Sequence, residues 1–196
     1  PVRWSQASLP RALTTEEVER LEAHCAEAKR APLRLLAMVR LALDLGLRVG
    51  EIAKLEIGDF DWRAGTVTLK RTKSQRQDVL PLPVLTGQAL AEYMRHERPA
   101  TTLPSLFVRR LAPHDKPIGV DAVSQAIGRA LRGAGISRGC HSLRHTLACR
   151  LVNSGSSIKE VADVLRHRSL DTSLIYAKLD LQLLAEVALP WPGSAS

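Results

Sequence analysis

Apolar residues recur at helical spacing, with polar residues between them, through most of this chain. The first clear segment follows Thr14, which forms a Thr-x-x-Glu capping box with Glu17. We therefore predict a helix beginning there, with Val18, Leu21 and Cys25 on its inward face.

The next segment, Leu33–Leu45, is apolar on most of its faces, which predicts a central, buried helix. Gly46 directly after it is a typical helix C-cap. The same reasoning predicts further helices later in the chain. They are Val49–Leu55, Pro83–Glu97 with Leu85, Leu90 and Tyr93, a helix capped by Asp121 and running through Leu131, Ser142–Asn153, Ser157–Leu165, Asp171–Lys178 and Leu181–Leu189.

Two short segments favour strands over helices. Thr66–Leu69 is β-branched and alternating, and Val79–Leu82 is expected to pair with it across a charged hairpin turn. The apolar run Leu106–Val108 is expected to be a short third strand. The predicted fold class is therefore mainly α with a small antiparallel β-sheet (α+β).

Composition narrows the classes of partner. The 196 residues carry a net charge of +8, which favours a polyanionic partner, while only 4% aromatic residues argues against a single-strand stacking platform. The three scattered cysteines indicate neither a disulfide framework nor a zinc site. No apolar run reaches the length of a membrane span. We expect a cytoplasmic protein without a membrane partner.

A constellation near the C-terminus suggests phosphate chemistry. His141 and Arg144 form an H-x-x-R pattern, and His167 precedes Tyr176 by nine residues. Basic groups followed by one tyrosine suggest a phosphate site with a phenol nucleophile. Tyr176 alone would more often be an amphipathic surface residue.

These patterns resemble the C-terminal signature of the tyrosine recombinases, also called the phage integrase family. The residues Gly46–Leu47–Arg48, with Glu51 following, resemble the first box of that family, although alone they would indicate a local ion pair at a helix entry. One departure is that Arg166 stands where the family usually has glycine. If that glycine allows a tight turn, Arg166 should strain it.

The resemblance also assigns roles. Arg48 and Arg144 would bind the phosphate, because planar guanidinium groups match its oxygens and stay charged. Leu80–Pro81–Leu82 aligns with a V-P-L motif that brings Lys73 onto the family's catalytic lysine, with Lys70 and Arg76 as competing candidates. The expected catalytic set is Arg48, Lys73, His141, Arg144, His167 and the nucleophile Tyr176, supported by Glu51. The expected DNA-binding residues are Lys70, Arg71, Arg76, His145, Arg166 and Arg168. Neither a metal nor another cofactor is expected.

By resemblance, the function is site-specific recombination or integration, in which DNA strands are cleaved and rejoined through a 3′-phosphotyrosyl intermediate. Two alternatives remain open. One is a type IB topoisomerase-like strand relaxer. The other is a non-catalytic regulator, since the segment from Ser157 to Leu179 resembles a helix-turn-helix.

The expected organisation is a linker at 1–13, a catalytic domain at 14–179 and a C-terminal helix and tail at 180–196. That helix is expected either to fold back onto its own domain or to be exchanged between protomers. The expected partners are double-stranded DNA and further copies of the chain, as a tetramer on synapsed DNA and a monomer when free. We also expect an N-terminal DNA-clamping domain in the longer protein.

Overall fold

The computed structural model describes residues 12–70, 77–109 and 116–166. This part of the chain is mainly helical with one small antiparallel sheet, so the predicted fold class is confirmed. Its helices are α1 (Thr15–Ala26), α2 (Pro32–Asp44), α3 (Val49–Ile52), α4 (Val84–His96), α5 (Val120–Gly133), α6 (His141–Asn153) and α7 (Ile158–Val164). Its strands are β1 (Phe60–Asp61), β2 (Thr66–Lys70) and β3 (Gln77–Pro81).

Helix α1 begins as the sequence predicts. The Thr14 hydroxyl accepts a hydrogen bond from the Glu17 backbone N–H at 3.2 Å, and the Glu17 carboxylate accepts one from the Thr14 N–H at 2.9 Å. Two N–H groups that the first helical turn leaves over are thereby satisfied. The predicted inward residues Val18, Leu21 and Cys25 are all buried.

Helix α2 is the centre of the fold. It contacts α1, α4, α5 and α6, and six of its thirteen residues are buried. Pro32 occupies its first turn, where a missing N–H costs nothing. The prediction of a central buried helix is confirmed, and the elements around it are held in place by its apolar surface.

The sheet has the order β1-β2-β3. Strands β2 and β3 pair antiparallel with Thr68 opposite Val79, as the hairpin prediction requires. The third strand is Phe60–Asp61, so its prediction at Leu106–Val108 is wrong. Those three residues are fully buried, and pairing in this region is limited to isolated bridges of Ser105 with Glu56 and of Val108 with Pro117.

Two further details differ from the sequence prediction. Leu85 in the first turn of α4 is 56% exposed, whereas Leu90 and Tyr93 from the same prediction are buried together with Ala89. Gly119 is the N-cap of α5, while Asp121 lies within its first turn, where a carboxylate still favours the helix dipole.

Helices α6 and α7 share a small second core. Ala148 and Val152 of α6 pack against Val161 of α7 and against Leu165, which follows α7. Ser157 caps α7 by accepting a hydrogen bond from the Glu160 N–H at 3.2 Å. None of the helices in the described part of the chain is both long and apolar enough to cross a bilayer.

Candidate active site

The turn between α2 and α3 positions the first pair of site residues. Gly46 ends α2 with a φ of 59°, a left-handed conformation that glycine adopts without strain. The chain then turns so that Arg48 caps α3 and Glu51 lies in the first turn of that helix.

Arg48 and Glu51 are bonded to each other twice. The Glu51 carboxylate accepts hydrogen bonds from the Arg48 guanidinium at 3.1 Å and from the Arg48 backbone N–H at 2.8 Å. The Arg48 side chain stays 44% exposed, which leaves it accessible to a ligand. Burial alone would raise the pKa of Glu51, but the guanidiniums of Arg166, Arg48 and Arg144 and the Arg48 N–H together lower it below its ordinary value.

The first turns of α6 supply the second pair. His141 is exposed at the start of the helix, whereas Arg144 is only 6% exposed. The Arg144 guanidinium donates hydrogen bonds to the backbone carbonyls of Gly46 and Leu165. A guanidinium has five N–H donors, so it can hold the backbone and a phosphate oxygen together.

Three of these four residues meet at one surface depression. Arg48, His141 and Arg144 all line it, although they come from distant parts of the sequence. The other lining residues are Ala42, Leu47, Val49 and Cys140. Two guanidiniums and an imidazole around one depression can bind and neutralise an oxyanion.

His145, one turn further along α6, is half-buried. Its burial, together with the nearby His141 and Arg144, lowers the pKa of His145 below its ordinary value. The lowered pKa favours the uncharged imidazole, which suits a hydrogen bond better than an ion pair with a phosphate.

Arg166 does not face solvent, so its predicted role as a DNA contact is corrected. Its side chain is 2% exposed, and its guanidinium pairs with the Glu51 carboxylate at 3.0 Å. Its backbone has a φ of 54°, which agrees with the strain expected from an arginine in the position usually held by glycine. The positive charge of Arg166 therefore lies inside the site, against Glu51.

Lys70 ends strand β2 beside two carboxylates. Its ammonium lies 2.8 Å from Asp59 and 3.2 Å from Glu56. The hydrogen bonds to Asp59 and then to Glu56 raise the pKa of Lys70 above its ordinary value. A lysine held in this way gives up its proton less readily.

Several predicted site residues lie outside the described residues. They are Arg71, Lys73, Arg76, His167, Arg168 and Tyr176. Within 12–70, 77–109 and 116–166, no three His, Cys, Asp or Glu side chains cluster as they would around a metal ion.

Comparison with known proteins decides the family. The model of the phage integrase family matches residues 11–182. The chain belongs to the phage integrase family. Within that family, a putative integrase/recombinase y4rA of Sinorhizobium fredii is 38% identical over 195 residues, which span 98% of this chain and 47% of that protein. The tyrosine recombinase XerA of Pyrococcus furiosus is 30% identical over 91% of this chain and 61% of its own. This phage integrase family chain thus spans about half the length of the first of these relatives.

Solved structures confirm the fold of this integrase family member. The crystal structure of XerA recombinase matches with a TM-score of 0.78 at 22% identity, over 95% of this chain and 66% of that one. The XerH site-specific recombinase bound to palindromic difH substrate, a post-cleavage complex, matches with a TM-score of 0.76 at 25% identity, over 92% of this chain and 53% of that one.

Sequence reasoning missed one member of the site. Gly46 was expected only to end α2, but its carbonyl accepts hydrogen bonds from both Arg144 and Arg166. Its position one residue before the Leu47–Arg48 pair was the available signal. A carbonyl beside two buried guanidiniums could not be read from the sequence, because both partners are distant along the chain.

Proposed function

We propose that this chain is the DNA-cleaving part of a site-specific recombinase. The observation that carries the proposal is the meeting of Arg48, His141 and Arg144 around one depression. Membership of the integrase family supports it, as does the likeness to XerH bound to palindromic difH substrate.

The proposed reaction begins with binding of the scissile phosphate. Arg48 and Arg144 neutralise the non-bridging oxygens, and His141 donates a further hydrogen bond. Each such donor stabilises charge that develops in the transition state, and removal of one donor typically slows a reaction about 100- to 1000-fold. The carbonyls that bond Arg144 fix its guanidinium before DNA arrives, which lowers the cost of ordering it.

The nucleophile is a tyrosine, and this chain has only two. Tyr93 is fully buried in α4, and its hydroxyl donates to the Leu106 carbonyl at 3.3 Å. Burial, the main cause, raises the pKa of Tyr93 above its ordinary value, so its phenolate is disfavoured as well as inaccessible. Tyr176 is therefore the residue that we assign to the attack.

The proposed cleavage step forms a bond between the Tyr176 oxygen and phosphorus and breaks the bond from phosphorus to the 5′-oxygen. His167 accepts the phenol proton, and Lys73 protonates the departing 5′-oxygen. The bond energy stays in the 3′-phosphotyrosyl linkage. Attack by the 5′-hydroxyl of another strand reverses the step and rejoins the DNA.

Covalent trapping tests this function. The chain is incubated in EDTA with a library of nicked, random-sequence duplexes, in which the fragment beyond the nick diffuses away after cleavage. We expect a protein–DNA band that survives denaturation and disappears after protease treatment. Absence of that band under all salt conditions tried, with the protein folded and the longer protein also inactive, would contradict the proposal.

The same experiment separates the alternatives. A helix-turn-helix regulator would bind these duplexes without forming an adduct. A strand relaxer would form the adduct and relax a supercoiled plasmid, but it would not exchange strands between two sites. Recombinant products from a substrate with two selected sites would distinguish recombination from relaxation.

The finer proposal concerns assembly. The apolar spacing in 181–189 supports a C-terminal helix that packs into a second copy. We expect a monomer when free and a tetramer on synapsed DNA, in the cytoplasm. A chain lacking 180–196 that recombines as well as the parent would contradict this exchange, and sedimentation on a cleaved two-site substrate measures the assembly.

A further inference from the structure

Arg166 is an arginine buried at a position where the family usually has glycine. It directly follows Leu165 at the end of α7, and its side chain is only 2% exposed. Its φ of 54° is a conformation that side chains other than glycine rarely adopt. A strained backbone and a buried guanidinium both cost stability, so a compensating contact is expected.

That contact is with the active site. The Arg166 guanidinium donates to Glu51 Oε2 at 3.0 Å and to the Val164 carbonyl at 3.0 Å. Its nitrogen also lies 3.5 Å from the Gly46 carbonyl, which accepts a bond from Arg144 as well. One carboxylate and one carbonyl therefore join Arg166 to both phosphate-binding arginines.

The two oxygens of Glu51 divide their partners. Oε1 accepts from the Arg48 guanidinium, whereas Oε2 accepts from the Arg48 backbone N–H and from Arg166. Loss of Arg166 would leave Oε2 short of a charged donor in a half-buried position. The carboxylate would then rotate or draw Arg48 further towards itself, away from the depression.

We propose that Arg166 is a positioning residue of the active site, which holds the Glu51 carboxylate and through it fixes the guanidinium of Arg48. The proposal rests on the DNA-cleaving function proposed above.

The coupling also predicts a change in pH dependence. Glu51 faces Arg48 from its own helix, Arg144 from α6 and Arg166 from the end of α7, and Arg166 also faces Asp78 of β3. Arg166 helps to lower the pKa of Glu51 against the effect of burial, so the ionised carboxylate persists as the pH falls. Without Arg166, that pKa rises and cleavage should be lost at a higher pH.

The test uses three replacements of Arg166 and a charge control. Arg166→Met removes the charge and keeps the length, Arg166→Lys keeps the charge without the planar fork, and Arg166→Gly restores the residue that the family usually has. Arg95→Met is the matched control, because it also removes one positive charge but does so on the surface of α4, where the Arg95 side chain is 71% exposed. Single-turnover cleavage of a nicked duplex that forms the covalent adduct is measured at saturating DNA from pH 5 to pH 9.

We expect Arg166→Met and Arg166→Gly to cleave about 10- to 100-fold more slowly than the parent, with DNA affinity changed less than the rate. As the pH is lowered, these two variants should lose activity at a higher pH than the parent does. Arg166→Lys should recover part of the rate and the acid limb of the parent's pH–rate profile. Arg95→Met should match the parent. If Arg166→Met does not fold, Arg166→Gly gives the same comparison without the strained backbone.

A double-mutant cycle with Glu51→Gln shows whether the two side chains act together. In the Glu51→Gln background, Arg166→Met should change the rate by less than about 2-fold. Independent, multiplying effects, an unchanged acid limb, or parental rates in both Arg166→Met and Arg166→Gly would each overturn the proposal. Lack of adduct formation by the parent itself would instead count against the proposed function, so the two failures are distinguishable.

Discussion

Replacement of Gly46 by alanine tests how the active site is built onto the end of α2. Two costs can be estimated from the structure. The φ of 59° is unfavourable for a residue with a Cβ by about 1–2 kcal/mol. The new Cβ would also lie 2.9 Å from Leu165 Cδ2 and 3.0 Å from Leu147 Cδ2, and such overpacking typically costs about 1–3 kcal/mol.

The sum predicts a destabilisation of roughly 2–5 kcal/mol, or a midpoint of thermal unfolding lower by roughly 5–15 °C for a domain of this size. The assay is urea unfolding and thermal unfolding of the parent and the variant at equal concentration. Two other glycines separate the two costs. Gly65 has a φ of 63° with open space around it, and Gly58 has open space without a positive φ.

We therefore expect Gly65→Ala to lose only the backbone part, about 1–2 kcal/mol, and Gly58→Ala to lose less than about 0.5 kcal/mol. If Gly46→Ala is no worse than Gly65→Ala, the packing argument is wrong. If it is as stable as Gly58→Ala, the whole account of this turn is refuted. Cleavage should fall as well, because a displaced turn would move the Gly46 carbonyl that bonds Arg144 and Arg166.

Three further predictions follow from the site. Arg48→Ala and Arg144→Ala should each slow cleavage at least about 100-fold. Only Arg144→Ala should also lower the free energy of unfolding, by roughly 1–3 kcal/mol, because the buried Arg144 guanidinium bonds two backbone carbonyls. Equal unfolding curves for the two variants would contradict this structural role of Arg144. Lys73→Ala should cleave a substrate with a 5′-thiol leaving group much faster than the normal one, whereas Lys70→Ala should show no such preference, and rescue of Lys70→Ala instead would exchange their roles. The net charge of +8 predicts that DNA affinity, measured by fluorescence anisotropy, falls about 10³-fold between roughly 50 mM and 200 mM salt if about six phosphates are neutralised; a flat response would contradict a phosphate-dominated interface.

Local rules were sufficient for much of the fold. The capping box at Thr14 and Glu17 and the largely apolar surface of α2 depend on residues close together in the sequence, and both appear as predicted. The strand predicted at Leu106–Val108 failed because of a side chain outside that segment. Arg98 donates to the carbonyls of Leu103, Ser105 and Leu106, so this segment satisfies part of its backbone with a side chain instead of a neighbouring strand.

The site was predictable where it follows a motif and not where it depends on distant pairing. Arg48, His141 and Arg144 were predicted from their resemblance to the motifs of the phage integrase family, and they do line one depression. The inward orientation of Arg166 depends on Glu51, 115 residues away, and sequence spacing carries no information about that contact. An arginine near a basic segment therefore looked like a DNA contact.

The most direct test of the central claim is the identity of the residue that carries DNA. The covalent adduct is isolated from the nicked-duplex reaction, digested with nuclease and protease, and sequenced by tandem mass spectrometry. We predict a 3′-linked nucleotide on Tyr176, loss of the adduct in Tyr176→Phe with DNA binding retained, and full adduct formation in Tyr93→Phe. A nucleotide on any other residue, or an adduct formed by Tyr176→Phe, would contradict the account.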